Sequence, residues 1–444
     1  MPASKAILYG LLGLALVRGL IYGAVTPPWQ APDEPSQFER ARAALRSVDW
    51  QGAAENGPDW YDQLSDSLFT FHFWDFVDIP RPPYTPEAPL NQYITLYHEA
   101  YQGLYGSRPT YGAIGLPLFI AHHQDLTLQL YLVRLNTVLM GVGVIFLAYL
   151  ITRTLFPHDT FLVLGVPILI LFNPQHTHLL STVNNGNLAE LLTTIALLFM
   201  VKGTVEGFSW FKVFAIFGFS LAAMWTKATA YFLPFAVGTI GLFYVWKYRR
   251  YWRWLAPTGV LLAGLTYYFA PERLKLLIPR VWSSLSISNL FPDPIVPLDL
   301  FRSFWAYPGW TILQLHPFWY QALFIACALA MVGLILLLVA KRQLLFSKEF
   351  RPKIRALTVL AVATAVAIGI LLAWNAVTNV IVYRQGRSIY PVIVPIALFL
   401  MLGWRQLIPA RRRNFGLLAI TSILFLFDSL VLFNYIIPFF YSRY

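Results

Sequence analysis

The sequence predicts an all-α, polytopic membrane protein, and three observations support this class. Of the 444 residues, 57% are hydrophobic and only 12% are charged, whereas soluble domains carry about 25% charged residues. Eleven apolar stretches reach or approach the roughly 20 residues that a bilayer-spanning helix needs. A long polar segment follows the first stretch. We therefore expect a single transmembrane domain over 1–444, with about eleven spans.

The apolar stretches are separated by polar connections along the whole chain. They lie near 6–25, 130–152, 159–173, 187–201, 213–226, 229–246, 254–270, 318–340, 355–374, 388–404 and 415–433. The first is like a signal sequence, but Tyr22 stands where a cleavage site needs a small side chain. We expect this stretch to remain as the first span.

The basic residues predict the orientation. The net charge is +12, and basic clusters at 247–253, 341–355 and 405–413 fall on the same side of the membrane when the spans are counted. The positive-inside rule makes that side cytoplasmic, with the N-terminus inside. The charge is thus explained by topology and does not indicate nucleic-acid binding. A single cysteine, Cys327, allows no disulfide within the chain and no thiolate metal site.

The two long outer loops are expected at 26–129 and 271–317. The first carries the adjacent acids Asp33 and Glu34 directly after the first span. Ser36 and Glu39 have capping-box spacing, and the apolar positions behind them predict an amphipathic helix on the bilayer surface. Asp33 would precede that helix, where the dipole favours its ionised form.

Three cations lie on the outer side, where basic residues are scarce. Arg384 and Arg387 precede the tenth span, and Lys227 lies at the turn between the fifth and sixth. Each can anchor a helix at the membrane edge. Each can also bind a phosphate, for which arginine offers bidentate geometry. The sequence leaves both interpretations open.

Charges within apolar spans need partners, because an unpaired one costs about 2.5 to 3.5 kcal/mol on insertion scales. Arg134 and Glu190 are in this position, and we expect them to pair with each other or with helix caps. Asn184 and Asn185 start an outer helix, where they can cap it or bind an acceptor. The aromatic segment 301–310 suits an interfacial belt and sugar stacking equally. No histidine pair has the helical spacing of a metal site, so no metal is expected.

Three motifs carry a resemblance to a known superfamily. They are PPWQAPDEPSQFERA at 27–41, SFWAYPGW at 303–310 and YRQGRSIYP at 383–391. With the topology, they resemble the C-type (GT-C) superfamily of membrane glycosyltransferases, which includes protein O-mannosyltransferases and the lipid A aminoarabinose transferase. More closely, they resemble a bacterial polytopic family in it with Pro-Asp-Glu-Pro, Ser-Phe-Trp and Gln-Gly-Arg-Tyr patterns. Gln37 stands where that family is expected to have His, and Ser388 replaces the Tyr.

The resemblance implies an inverting transfer of a sugar from a polyprenyl-phosphate donor to an acceptor hydroxyl, without a metal, at the outer face of a bacterial inner membrane. It implies Asp33 as the base, Glu34 as an acceptor contact, and Arg387, Arg384 and Lys227 as donor phosphate ligands. Further substrate contacts are expected from Gln37, Asn184, Asn185, Trp305 and Tyr390.

The partners implied are the bilayer, the lipid-linked sugar and a lipid, glycan or protein acceptor, with no nucleic acid. The alternative is a lipid or glycan transporter or flippase, which would place its polar residues along a path through the bilayer rather than on one face.

Overall fold

A computed structural model describes residues 2–46, 58–76, 110–247, 295–310, 312–340, 342–345, 351–378 and 385–442. Every regular element in these ranges is helical, which confirms the predicted all-α class. Seven of the helices are long and apolar enough to cross a membrane, or eight if one bent pair counts as a single span. The eleven predicted spans are therefore matched only in part, and the stretch near 254–270 lies outside the described residues.

The longer α-helices follow the predicted apolar stretches, and shorter helices lie between them. In chain order they are α1 (Pro2–Val25), α2 (Glu34–Arg46), α3 (Pro58–Thr70), α4 (Thr110–Ile114), α5 (Leu118–Ala121), α6 (Leu126–Leu155), α7 (Thr160–Leu171), α8 (Pro174–Leu180), α9 (Asn185–Glu206), α10 (Trp210–Thr226), α11 (Leu233–Lys247), α12 (Ile295–Trp305), α13 (Pro317–Ala340), α14 (Arg342–Leu345), α15 (Arg351–Thr378), α16 (Ile393–Leu407), α17 (Arg413–Leu430) and α18 (Ile437–Tyr441). Helical turns of 3₁₀ type lie at Phe73–Asp75, Ala228–Ala230, Gly386–Val392 and Ala410–Arg412, and a π-helical turn lies at Val431–Ile436.

Helices α7 and α8 are joined by a sharp bend at the end of the bundle where the candidate site lies. The axes of α7 and α8 meet at 64°. Asn173 lies at the break, where its side-chain oxygen accepts a hydrogen bond from His176 N at 2.9 Å and Pro174 begins the new helix. Proline at the first position of a helix has no N–H to leave unpaired. The bend places the α8 side chains beside the end of α1 and the start of α9.

The bundle interior is apolar and closely packed. Its main core draws on α6, α7, α9, α15 and α16, with residues such as Leu169, Leu197 and Leu398 fully buried. Gly333 and Gly403 lie where α13 meets α16, and a Cβ at either position would overlap the facing backbone. Small residues at such contacts allow membrane helices to approach closely.

Buried charges join the two ends of the chain. Arg18 of α1 donates from Nε to the Asp428 carboxylate of α17 at 3.0 Å, and Tyr22 donates to the same carboxylate at 2.7 Å. The Arg18 guanidinium also contacts the Leu171 carbonyl. A charge pair at this depth must be paired and hydrogen-bonded to be tolerated, so these contacts fix α1 against α7 and α17.

The described parts of the first loop form a small layer that shares a hydrophobic core with α6 and the start of α9. Phe38 of α2 packs with Leu64, Leu68 and Phe73, and all four are buried. The apolar face of α2 thus packs against protein, which corrects the expectation that it lies on the bilayer. Ser36 is inside the helix, where its hydroxyl donates to the Asp33 carbonyl at 2.9 Å, so the expected capping box does not form.

Candidate active site

The site begins with a turn between α1 and α2 that two left-handed residues create. Trp29 has φ of 71° and Asp33 has φ of 65°, a region that aspartate adopts more readily than most residues. Trp29 is fully buried and donates from its indole to Ser67 Oγ at 2.8 Å, while its carbonyl accepts from the Trp310 indole at 3.3 Å. These contacts hold the turn between the small layer that the first loop forms and the segment after α12.

Glu34, the first residue of α2, is fully buried and holds this turn in place. Its carboxylate accepts hydrogen bonds from Arg134 Nε at 2.8 Å and Nη2 at 2.6 Å, from Trp29 N at 3.0 Å and from Val183 N at 3.0 Å. Arg134 also donates to the carbonyls of Gly23, Thr26 and Pro27. This geometry gives Glu34 a structural role, in place of the acceptor contact that the resemblance implies. The expected pair of Arg134 with Glu190 is not formed.

Asp33 points away from Glu34 and meets Arg387. Arg387 Nη2 donates to Asp33 Oδ2 at 3.0 Å, and the side chains are 11% and 26% exposed, respectively. Arg387 Nη1 is buried and has no hydrogen-bond partner among the described residues. Asp33 Oδ1 makes no hydrogen bond within the described part of the chain, so one acceptor atom and one donor atom of this pair remain available.

The two later motifs dock on each other and thereby position Arg387. Gly386 N donates to Ser303 Oγ at 2.7 Å, and the Tyr390 hydroxyl donates to the Phe304 carbonyl at 2.8 Å. A Cβ at Gly386 would overlap the backbone of α12 at Leu300 and Phe304. Only glycine allows this approach. The turn at Gly386–Val392 therefore holds Arg387 against the end of α12.

Lys227 approaches the same place from the break between α10 and α11. Its ammonium donates to Asn184 Oδ1 at 3.2 Å, and Asn184 caps α9 by accepting from Gly186 N at 2.7 Å. The ammonium lies 3.0 Å from where a Cβ at Gly186 would be, so glycine leaves room for it. Burial, and next the positive charge of Arg387, lower the pKa of Lys227 to about 8, while Asp33 and Glu190 act in the opposite direction.

These groups line one open cavity, in which the enclosed space for the centres of water-sized molecules is about 20 Å³ and the total space, with the solvent at its mouth, is about 350 Å³. Its polar lining consists of His176, Asn184, Asn187, Glu190, Lys227, Thr229, Arg387 and Tyr390. Thr229 Oγ1 is buried, and no described residue forms a hydrogen bond with it. Asp33 does not itself line the cavity, but it is bonded to Arg387, which does. Four distant parts of the sequence thus bring an acid, two cations and several hydrogen-bonding groups together.

A His–Glu pair in the cavity was not among the predicted site residues. His176 Nε2 and Glu190 Oε1 are 2.6 Å apart, and both side chains are almost fully buried. The ring of His176 also meets that of Tyr390 edge to face, with 5.1 Å between centroids. An acid within an apolar span was the available signal in the sequence, but nothing local indicated its partner.

The remaining predicted contacts divide into two groups. Asn184 and Tyr390 line the cavity. Gln37 and Asn185 instead belong to a structural cluster, in which Gln37 Oε1 accepts from the Tyr111 hydroxyl at 2.8 Å and from Asn185 N at 3.3 Å. Trp305 is buried in the main core at 2% exposure, so it cannot stack on a sugar. Arg384 lies outside the described residues.

The cavity offers anion binding next to a carboxylate that can accept a proton. Among the described residues, no group of three or more His, Cys, Asp or Glu side chains is placed to hold a metal ion. No protein-family model, curated protein or solved structure matches the chain. The functional argument therefore rests on the site itself.

Proposed function

We propose that this protein is an inverting glycosyltransferase that transfers a sugar from a polyprenyl-phosphate donor to an acceptor hydroxyl. The reaction would take place at the outer face of a bacterial inner membrane. The observation that carries this proposal is the contact between Asp33 and Arg387 at a cavity that also holds Lys227. An acid and two cations at the end of apolar helices suit a substrate with a phosphate group and a lipid chain.

The cations support the phosphate part of the donor. Lys227 donates one of its three N–H groups to Asn184, and Arg387 Nη1 is buried without a partner in the part of the chain that the structure describes. Burying positive charge without enough acceptors is costly, and an anion relieves that cost. Arginine suits phosphate because its planar fork presents two N–H groups at once. A donor phosphate between Lys227 and Arg387 would satisfy both side chains.

Asp33 supports the chemical step. The acceptor hydroxyl oxygen would attack the anomeric carbon of the sugar as the bond between that carbon and the phosphate oxygen breaks. The electron pair of that bond would leave with the lipid phosphate, which the two cations stabilise. The hydroxyl proton would pass to the Asp33 carboxylate. Attack opposite the leaving group inverts the anomeric carbon, and no co-reactant is required.

The ion pair between Asp33 and Arg387 suggests how donor binding would affect the base. In the described structure, Asp33 neutralises part of the Arg387 charge. A donor phosphate would compete for the same guanidinium and release Asp33 to face the acceptor. The base would then become fully available only when the donor is bound.

The substitution Asp33→Asn tests this function. A general base contributes about 10² to 10⁴ in rate, so the variant should lose nearly all transfer of radiolabelled sugar from a panel of polyprenyl-phosphate sugars. It should still bind citronellyl phosphate, because removing the competing carboxylate leaves Arg387 available. Wild-type protein and Arg387→Ala are the controls, and Arg387→Ala should lose phosphate binding.

Retention of more than about a tenth of the wild-type turnover by Asp33→Asn would remove Asp33 as the base. If wild-type protein transferred no sugar from any donor but moved labelled lipid from one leaflet of a proteoliposome membrane to the other, the transporter interpretation would replace the enzyme interpretation.

A further inference from the structure

Glu190 and His176 share the cavity with the two cations but have no part in the phosphate contacts or the proton transfer proposed above. Glu190 spends one carboxylate oxygen, Oε1, on His176 Nε2. Its other oxygen makes no hydrogen bond within the described residues. The side chain is only 3% exposed, yet it lines the cavity. A buried carboxylate that is only half satisfied needs further donors.

The helix places Glu190 on the face of α9 that Lys227 approaches. Lys227 Nζ lies against Gly186, in the first turn of α9. Residues 186 and 190 are four apart, so they share one helix face and are separated by about 6 Å along the axis. Glu190 therefore lies one turn along α9 from Gly186 on the same face, and its carboxylate is near enough to the ammonium to raise the pKa of Lys227.

A purely structural role would explain part of this arrangement. The pair of His176 and Glu190 does join α8 to α9. Such a link needs only one carboxylate oxygen, however, and it needs no cavity. It also does not explain why the pair lines the same cavity as Lys227 and Arg387.

We propose that Glu190, oriented by His176, binds hydroxyl groups of the sugar in the donor and so contributes to sugar specificity. This inference rests on the proposed function and adds a sugar-binding group to it. A carboxylate can accept hydrogen bonds from two neighbouring hydroxyls, and sugar rings present hydroxyls in such pairs. With the phosphate between Lys227 and Arg387, the ring would extend along α9 toward Glu190. His176 is a positioning residue that fixes the carboxylate.

The experiment compares two diesters that carry the same charge. The reference diester is citronellyl methyl phosphate, which has no sugar. Each diester of the second kind, taken from a panel of citronellyl phosphoryl sugars, is compared with it. Equilibrium binding is measured with the full chain in lipid nanodiscs. In the wild type, at least one sugar diester should bind more tightly than the methyl diester. The difference between the two measures the contribution of the sugar.

Glu190→Gln should reduce that difference about tenfold or more, because hydrogen bonds to a charged group are stronger than neutral ones. At a pH well below the Lys227 pKa of about 8, where the ammonium stays charged in both proteins, binding of the methyl diester should change far less. The matched control is Glu206→Gln at the far end of the same helix, where the glutamate pairs with Lys212, and it should bind both diesters like the wild type. Arg387→Ala should weaken both diesters alike.

Equal loss of both diesters in Glu190→Gln would overturn the sugar-binding role. So would a wild type in which no sugar diester binds more tightly than the methyl diester. If the wild type bound neither diester, the phosphate site and the proposed function would fall together with it. If Glu190→Gln did not fold, deoxy-sugar diesters on the wild type would decide, because removal of the hydroxyls that bind Glu190 should abolish the sugar contribution.

Discussion

At the scale of single residues, Asp33 and Glu34 show how neighbouring acids acquire different roles. The left-handed backbone at Asp33 turns the chain just before α2. As a result, Glu34 points into the bundle and receives four hydrogen bonds, whereas Asp33 points to Arg387 and keeps a partly exposed carboxylate. Only Asp33 retains an oxygen that can take a proton from a substrate.

The first prediction concerns the buried pair of Glu34 and Arg134. Glu34→Ala should destabilise the protein by about 3 to 5 kcal/mol, because Arg134 would remain buried without its counter-charge. Thermal unfolding in detergent, followed by the loss of monodisperse protein, measures the effect. Asp33→Asn is the control and should unfold close to the wild-type temperature, since its carboxylate is partly exposed. Equal stability of the two variants would contradict the structural role of Glu34.

The second prediction concerns pH and Lys227, whose pKa is lowered to about 8 by burial. The side chain is a charged ammonium below that pH, and it loses its proton and its charge as the pH rises through that value. The affinity for a phosphate diester, whose own charge is constant, should therefore fall about tenfold between about pH 7 and about pH 9, in proportion to the charged fraction. Lys227→Arg remains charged and should lack this fall. A flat profile for the wild type would separate Lys227 from phosphate binding.

At the scale of secondary-structure elements, the turn at Gly386–Val392 and helix α12 form one unit. The Ser303 hydroxyl accepts from Gly386 N, and the Phe304 carbonyl accepts both from Tyr390 and, at 3.0 Å, from Asn173. One carbonyl thus ties α12 to the turn and to the break before α8. The Ser-Phe-Trp and Gln-Gly-Arg motifs, although far apart in sequence, thus form the two sides of one contact.

The third prediction tests this unit through Gly386→Ala. The added methyl group would overlap the α12 backbone, so the turn must shift and Arg387 must move with it. Overpacking of this kind costs about 1 to 3 kcal/mol, and binding of citronellyl phosphate should weaken. Gly369→Ala in α15 is a matched control, because its Cβ would meet open space. Unchanged phosphate binding in Gly386→Ala would show that the turn does not position Arg387.

At the scale of the whole molecule, contacts between distant helices gather the site at one end of the bundle. The end of α1, the bend at α8, the start of α9 and the break after α10 all meet there. Arg18 and Asp428 secure α1 to α17 within the bundle. The polar groups of the described site lie at an end of the apolar helices, which agrees better with chemistry at a membrane surface than with a transport path.

The fourth prediction concerns orientation. Asp66 belongs to the small layer that the first loop forms and Arg412 to a basic cluster at a helix end, and both are exposed. In a protein whose native cysteine is replaced by Cys327→Ser, Asp66→Cys should react with an impermeant thiol reagent added to intact cells. Arg412→Cys should react only after the cells are opened. Labelling of both from outside would contradict the orientation and the proposed face of the reaction.

By itself, the sequence determined the helical class and the approximate ends of most described helices. The length of an apolar run and the position of a proline or capping residue are local properties. The sequence also placed Asp33 directly before α2, and it singled out Arg387 and Lys227 as cations on the side of the membrane where it predicts few of them. These inferences needed no knowledge of which helices touch.

Only the tertiary structure decided which groups meet. Arg134 pairs with Glu34, a hundred residues away in sequence, and Glu190 pairs with His176. The apolar face of α2 is covered by protein rather than by lipid, a choice that its periodicity leaves open. Partners of this kind depend on how several helices pack, because a buried charge accepts any suitable counter-group that the fold brings within hydrogen-bond distance.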